Sequence, residues 1–109
     1  MQFLVYGIGE KPASLKPEAM AEMGKFMEEA FRSGIVVATG GLYTNGTRIQ
    51  LEDAKVTVTD GPFIEAKDLI PGFAVIQVNS KEEAVEWTTR FRQILGDGQS
   101  EVVQVYGPA

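Results

Sequence analysis

The chain has 109 residues, of which 44% are apolar, and a formal net charge of −5. This length suits one globular domain, residues 1–109, and the acidic balance argues against nucleic-acid binding, which needs a basic surface. The sequence contains no cysteine and no histidine. Disulfides, thiolate or imidazole metal sites, histidine-ligated haem and Ser-His-Asp or Cys-His catalysis are therefore excluded, and we expect neither a metal nor a cofactor.

The first part of the chain predicts a strand, a helix and a second strand. Residues 2–8 are apolar on both faces, which is typical of an interior strand. A helix is expected from Pro17 to about Ser33, because proline suits a first helical turn and Gly34 can supply a left-handed stop. The apolar run 35–38 predicts a short buried strand that ends at Gly40-Gly41. The apolar residues at helical spacing are Met20, Met23, Met27, Ala30 and Phe31, with Phe26 at one edge.

A β-hairpin is predicted in the middle of the chain. Residues 48–51 and 55–59 alternate between polar and apolar side chains and flank a short turn. The hairpin would therefore have a single apolar face. The side chains on that face are Ile49, Leu51, Val56 and Val58.

The last part of the chain predicts a strand, a helix and a final strand. Residues 73–78 and 101–106 are the strands. Between them, Ser80 and Glu83 form a capping box at the start of a helix that Gly96 ends. The apolar residues at helical spacing on this helix are Ala84, Trp87, Phe91 and Leu95.

This order of elements predicts an α+β fold. Two strand–helix–strand units with right-handed crossovers give a ferredoxin-like βαββαβ sandwich with an inserted β-hairpin, and both helices cover one face of an antiparallel sheet. Several strands are apolar on both sides, so the other face would be an exposed apolar surface, which marks an interface. We therefore expect a homodimer that packs sheet against sheet. The alternative is that a loop or the hairpin folds over that face.

The sequence also bears on location. The N-terminus lacks the pattern of a secretory signal, and no run approaches the roughly 20 apolar residues of a membrane span. We expect a cytoplasmic protein without a membrane partner.

The exit of the hairpin carries a motif that resembles a known family. Val58-Thr59-Asp60-Gly61-Pro62-Phe63, followed by Glu65, Lys67 and Gly72-Phe73, is similar to the signature of the YCII-related proteins of the DGPF type. The segments Gly41-Leu42, Ser80 to Trp87 and Glu101 to Val105 are also similar to that family.

The resemblance implies a dimeric α/β-barrel. The wider superfamily includes cofactor-free enzymes, such as muconolactone isomerase-like and dehydrochlorinase-like proteins, with a pocket between sheet and helices. Some YCII-type proteins are thought to use a His–Asp pair, which cannot carry over to a chain without histidine. Proteins of the DGPF type are also linked to extracytoplasmic-function sigma factors.

Asp60 is the first candidate site residue. A carboxylate at a strand end, beside a rigid Gly-Pro turn, can act as a general base or as a ligand acceptor. The structural alternative is that the Asp60 side chain only accepts hydrogen bonds from its own turn. The candidate ligand-binding residues are Tyr6, Tyr43, Phe63, Glu65 and Lys67. The alternative for the tyrosines is a buried hydroxyl that merely satisfies a hydrogen bond, and the alternative for Phe63 is packing in the core. The alternative for Glu65 and Lys67 is an ion pair in a solvated loop.

Three functions remain open from the sequence. The first is a homodimeric small-molecule-binding or accessory protein. The second is a cofactor-free lyase or isomerase that uses Asp60 as general base on a small acidic or phenolic substrate. The third is a protein-interaction module linked to the regulation of transcription.

Overall fold

The computed structural model describes residues 1–8, 15–43, 45–61 and 70–107. These residues form two helices and six strands, in the order that the sequence predicts. The elements are β1 (Gln2–Gly7), α1 (Pro17–Arg32), β2 (Val36–Gly41), β3 (Thr47–Glu52), β4 (Lys55–Asp60), β5 (Gly72–Gln77), α2 (Lys81–Leu95) and β6 (Ser100–Val105). Neither helix in this part of the chain is long and apolar enough to cross a bilayer.

Four of the strands form one antiparallel sheet in the order β2-β5-β1-β6. β1 lies at the centre, where Phe3 is opposite Ile76 on β5 and Gln104 on β6. β3 and β4 pair only with each other, as a separate two-stranded sheet that lies between β2 and β5 in the chain. The protein is therefore an α+β protein with two helices and antiparallel sheets, consistent with a ferredoxin-like fold.

Both helices pack on the same face of the four-stranded sheet. Every second residue of the central strands is buried and points to this face. Phe3 and Val5 on β1 and Ala74 and Ile76 on β5 point to this face, and Ile76 is completely buried. The helical residues that complete the core are Phe26, Ala30, Ala84 and Trp87.

Helix α1 begins and ends as predicted, but its buried stripe is rotated. Pro17 occupies the first turn, and Gly34 takes a φ of 81° after the last turn. Phe26 lies in the middle of the buried stripe rather than at its edge, with Met23, Met27 and Ala30 around it. The ends of the expected stripe, Met20 and Phe31, are 61% and 51% exposed. The stripe is centred on Phe26 because its ring packs against the aromatic side chains of α2.

Helix α2 begins with the predicted serine cap in a modified form. The Ser80 hydroxyl accepts a hydrogen bond from the Glu83 amide at 3.1 Å. The Glu83 carboxylate in turn accepts from the amide of Asn79 at 2.7 Å, rather than from that of Ser80. Two amide groups at the start of the helix are therefore still satisfied by side chains.

Strand β2 is not the buried strand that its composition predicts. It forms one edge of the sheet, where Val36 is buried but Val37 is 55% exposed. The strand ends at Gly41, within the Gly40-Gly41 pair at which its end is predicted, and both glycines pair with β5. An edge strand has one neighbour, so an apolar run on it is covered only on the side that faces the helices.

The opposite face of the sheet is crossed by a continuous apolar row. Ala38 lies opposite Val75, Val75 opposite Leu4, and Leu4 opposite Val103. These positions alternate with the core positions and therefore point away from the helices. Val103 and Val105, on the outer strand β6, are 45% and 43% exposed. We call this surface the outer sheet face.

Candidate functional site

A cavity of about 130 Å³ lies between α2 and one end of the four-stranded sheet. It is found where β1 and β2 end and β5 and β6 begin, so every strand of the sheet contributes to it. The side chains and backbone around it are predominantly apolar. The described residues that line it are Val5, Tyr6, Gly7, Thr39, Gly40, Pro71, Gly72, Phe73, Ala74, Trp87, Phe91, Arg92, Leu95 and Ser100.

The α2 wall of the cavity is aromatic. Trp87 and Phe91 stack one turn apart, with ring centroids 5.5 Å apart and an interplanar angle of 16°. Phe26 from α1 packs behind Trp87 at 5.2 Å, and the guanidinium of Arg90 lies 5.1 Å from the Phe26 ring centroid. These ring contacts hold the wall in one arrangement, because aromatic pairs prefer defined geometries.

Trp87, one of the residues of this wall, carries a buried polar group whose acceptor is not among the described residues. Its side chain is 5% exposed, and the indole Nε1 finds no hydrogen-bond acceptor among the described residues. A buried donor without an acceptor costs about 1–3 kcal/mol relative to a satisfied one. An acceptor from a bound molecule within reach of Nε1 would recover that free energy.

Arg92 contributes positive charge beside the aromatic wall and ties the cavity to the turn after α2. Its guanidinium donates to the carbonyl oxygens of Gly96 and Asp97 at 2.8 and 2.9 Å. It also donates to the carbonyl oxygen of Gln99 and the hydroxyl of Ser100, both at 3.3 Å. The guanidinium is therefore fixed in position by the 96–100 segment.

The sheet side of the cavity depends on a close approach of two strands. A Cβ atom on Gly72 would lie 3.0 Å from the carbonyl oxygen of Gly40, so a larger residue would push β2 and β5 apart. Beside this contact, the Thr39 hydroxyl donates to the carbonyl oxygen of Phe73 at 2.8 Å. Glycine therefore serves the packing of the two backbones here.

The three predicted site residues that the structure describes, Tyr6, Tyr43 and Asp60, do not converge on the cavity. Tyr6 lines the cavity and is half-buried. Tyr43 is 91% exposed, and neither Tyr43 nor Asp60 is among the described residues that line the cavity. Asp60 lies at the base of the hairpin, exposed, and its Oδ1 accepts a hydrogen bond from the Thr47 hydroxyl at 2.9 Å. Phe63, Glu65 and Lys67 lie outside the described residues.

Sequence reasoning did not single out Trp87 or Arg92 as site residues. Trp87 was expected in the core, which it also joins. A usable signal was the spacing of Trp87, Phe91 and Leu95 along one stripe that runs to the end of α2. The cavity lies under this last part of the stripe.

The cavity offers hydrogen-bond donors and a fixed positive charge more than it offers a base. The described lining contains no carboxylate, while Thr39 and Ser100 supply hydroxyl groups. Over residues 1–8, 15–43, 45–61 and 70–107, no three acidic side chains come together as a metal site would require. This arrangement suits the binding of an apolar ring that carries an oxygen acceptor.

Comparison with known proteins assigns the family. The YCII-related domain matches residues 1–107, and the chain therefore belongs to the YCII-related family. Among solved structures, it is similar to the 5-chloro-2-hydroxyhydroquinone dehydrochlorinase of Burkholderia phenoliruptrix, described in complex with 2,5-dihydroxybenzoquinone. The two share 17% identity at a TM-score of 0.56, over 99% of this chain and 96% of the other, which is a similarity of fold. No curated protein matches the chain.

Proposed function

We propose that this protein binds a small single-ring molecule, neutral or anionic and carrying an oxygen acceptor, in the cavity between α2 and the sheet. The observation that carries the proposal is the aromatic wall in which the buried Trp87 Nε1 finds no acceptor among the described residues. The size agrees, because a cavity of about 150 Å³ holds a benzene molecule and this one measures about 130 Å³.

The ligand class follows from what the wall presents. A ring can stack against Trp87 and Phe91, and an oxygen on the ring can accept the indole hydrogen bond. The guanidinium of Arg92 favours a negative charge on that molecule. The dehydrochlorinase with the similar fold is described with a quinone, a single-ring compound with oxygen substituents, which agrees with this ligand class.

Phenol and benzoate are suitable probes, because each has one ring and only benzoate carries a full charge at neutral pH. Trp87 is the only tryptophan in the sequence, so its fluorescence reports directly on the cavity. We expect both probes to change this fluorescence and to raise the melting temperature, with benzoate binding more tightly. Binding of ligand to the folded state alone stabilises it by about 2.7 kcal/mol at a concentration of ~100 times the Kd.

Two substitutions on α2 make the test specific. Leu95→Phe places extra bulk in the cavity and should reduce the probe-induced melting shift severalfold. Gln93→Phe adds the same group to an exposed position of the same helix that does not line the cavity, and should leave the shift unchanged. Equal shifts in the two variants, or no response of the wild type to either probe, would contradict the proposal.

The enzymatic alternative has less support. A general base has to reach the bound substrate, and Asp60 lies on the hairpin with a hydrogen bond from Thr47. We therefore give Asp60 no part in ligand binding. The motif that begins at Asp60 still favours the DGPF type of the family.

The protein is further proposed to be a homodimer that packs through the outer sheet face. The support is the apolar row of Ala38, Val75, Leu4 and Val103, since exposed apolar surface of this kind favours association. Val103→Asp should give monomers in size-exclusion chromatography with light scattering. Gln104→Asp, one residue along with its side chain on the opposite face, should leave the dimer intact.

A further inference from the structure

The β3–β4 hairpin, residues 47–60, is an arm with one apolar and one polar face. On the apolar face, Ile49 pairs with Val58 and Leu51 pairs with Val56. These four side chains are 60% to 73% exposed. The pairs on the other face are polar throughout, and they are Arg48 with Thr59, Gln50 with Thr57 and Glu52 with Lys55.

The arm extends from the body of the protein. The radius of gyration is 16.2 Å and the longest dimension 49 Å, whereas a compact chain of this length has a radius of gyration of ~13 Å. Every residue of β3 and β4 is exposed. An isolated two-stranded hairpin is at best marginally stable in water, so a ribbon with a continuous apolar face needs a surface to pack on.

The tip of the arm is a tight turn that holds the two strands in a fixed register. Asp53 and Ala54 form a two-residue turn with φ values of 50° and 64°, as in a type I′ hairpin turn. Ala54 carries a side chain in a conformation that favours glycine, which costs of the order of 1 kcal/mol. The register of the six pairs from Thr47–Asp60 to Glu52–Lys55 is uninterrupted. The apolar side chains are therefore aligned on one face.

We propose that the apolar face of the arm packs on a second copy of this chain. The inference rests on the homodimer proposed above and adds a second contact surface to it. The two surfaces on one chain, the arm and the outer sheet face, can be covered together when two copies exchange arms about a two-fold axis. In such an isologous interface each contact occurs twice, so the arm and the outer sheet face of both copies are covered.

The area of the two surfaces supports this occupant. Four six-residue strands cover roughly 380 Å² at the usual strand spacing and rise. A standard protein interface buries about 800 Å² on each partner. By the same measure of strand rise and spacing, one face of the arm adds ~190 Å², half as much again as the face of the sheet. Contacts that include the arm come closer to what a stable dimer needs.

The test compares the two faces of the arm. Ile49→Ser with Val58→Ser removes apolar side chains from the apolar face, and Gln50→Ser with Thr57→Ser changes the polar face at the neighbouring pair. Each dimer contains two arms, so a dimer of the Ile49→Ser, Val58→Ser variant loses the apolar contacts of both arms. We expect its dimer dissociation constant to rise on the order of 100-fold, measured by sedimentation equilibrium. The polar-face variant should stay within about twofold of wild type.

The outcomes separate the arm from the sheet. A dimer that Val103→Asp disrupts and the apolar-arm variant leaves unchanged would overturn the arm contact and keep the sheet interface. A dimer that only the apolar-arm variant weakens would keep the arm contact and overturn the sheet interface. A wild type that stays monomeric at every protein concentration used in the sedimentation experiment would overturn both contacts. Folding can be checked separately, since none of the four arm residues belongs to the core.

Discussion

The buried indole of Trp87 gives a prediction with a definite sign. In most cores, Trp→Phe is a loss of packing. Here the substitution removes about three heavy atoms, worth roughly 2 kcal/mol of burial. It also removes a buried donor without an acceptor, which relieves about 1–3 kcal/mol. The two effects oppose each other, so we expect Trp87→Phe to change the free energy of unfolding by less than about 1 kcal/mol.

Trp87→Leu is the matched control, because it also removes the donor but loses the ring contacts with Phe26 and Phe91. We expect it to cost about 3 kcal/mol. Both variants can be measured by urea unfolding followed by circular dichroism, at one fixed protein concentration, because a dimer makes stability depend on concentration. The probe-induced melting shift should fall severalfold in Trp87→Phe, because the smaller phenyl ring can still stack but has no N–H to donate to the probe.

A loss of more than about 2 kcal/mol in Trp87→Phe would instead mean that the indole N–H has a partner in the free protein. Equal protection of this variant and the wild type by phenol would refute the proposed hydrogen bond from the indole to the ligand. A stability change near zero with a reduced ligand response is the expected pair of results.

Three further predictions concern the framework and the hairpin. Ile76→Ala should destabilise the protein by about 2–5 kcal/mol in urea unfolding, because the side chain is completely buried in the central part of the sheet; a cost below about 1 kcal/mol would contradict that packing. Ser80→Ala should cost about 1 kcal/mol through loss of the bond from the Glu83 amide, and Ser80→Asp should restore it. Asp60→Asn should leave the affinity for phenol and benzoate unchanged in calorimetric titrations, because its partner is Thr47 at the base of the hairpin; weaker binding would return Asp60 to the site.

The elements that local chemistry decides were predictable from the sequence. Pro17 and Gly34 bound α1, and Ser80 marks the start of α2, because each acts on its own turn. The pairing within the hairpin also followed from alternation and a short turn. The orientation of the α1 stripe did not, because Phe26 is turned inward by rings on a helix more than fifty residues away in the chain.

The cavity could not be predicted from any one segment. Its walls come from the ends of four strands and from α2, and the close approach of Gly40 and Gly72 joins residues that are far apart in the sequence. The local sequence predicts the end of a strand at Gly40. Its pairing with Phe73 on β5, which places it at the cavity, depends on a distant part of the chain. Asp60 is prominent in the sequence because it belongs to a motif. Trp87 reaches the site only through its position on the apolar stripe of α2.

The position of β1 in the sheet has a consequence for how the chain acquires its structure. β1 is the first strand in the sequence, but its two neighbours are β5 and β6, which come from the second half. On a ribosome, β1 therefore waits for its first partner until β5 has emerged, and for its second until Val105 has emerged. Pairing between strands so far apart in the sequence is slow, because the entropy of closing a long loop is lost before any stabilising contact forms. During that interval the apolar residues of β1 are exposed on both faces, and this is when the nascent chain is most open to chaperones and to aggregation.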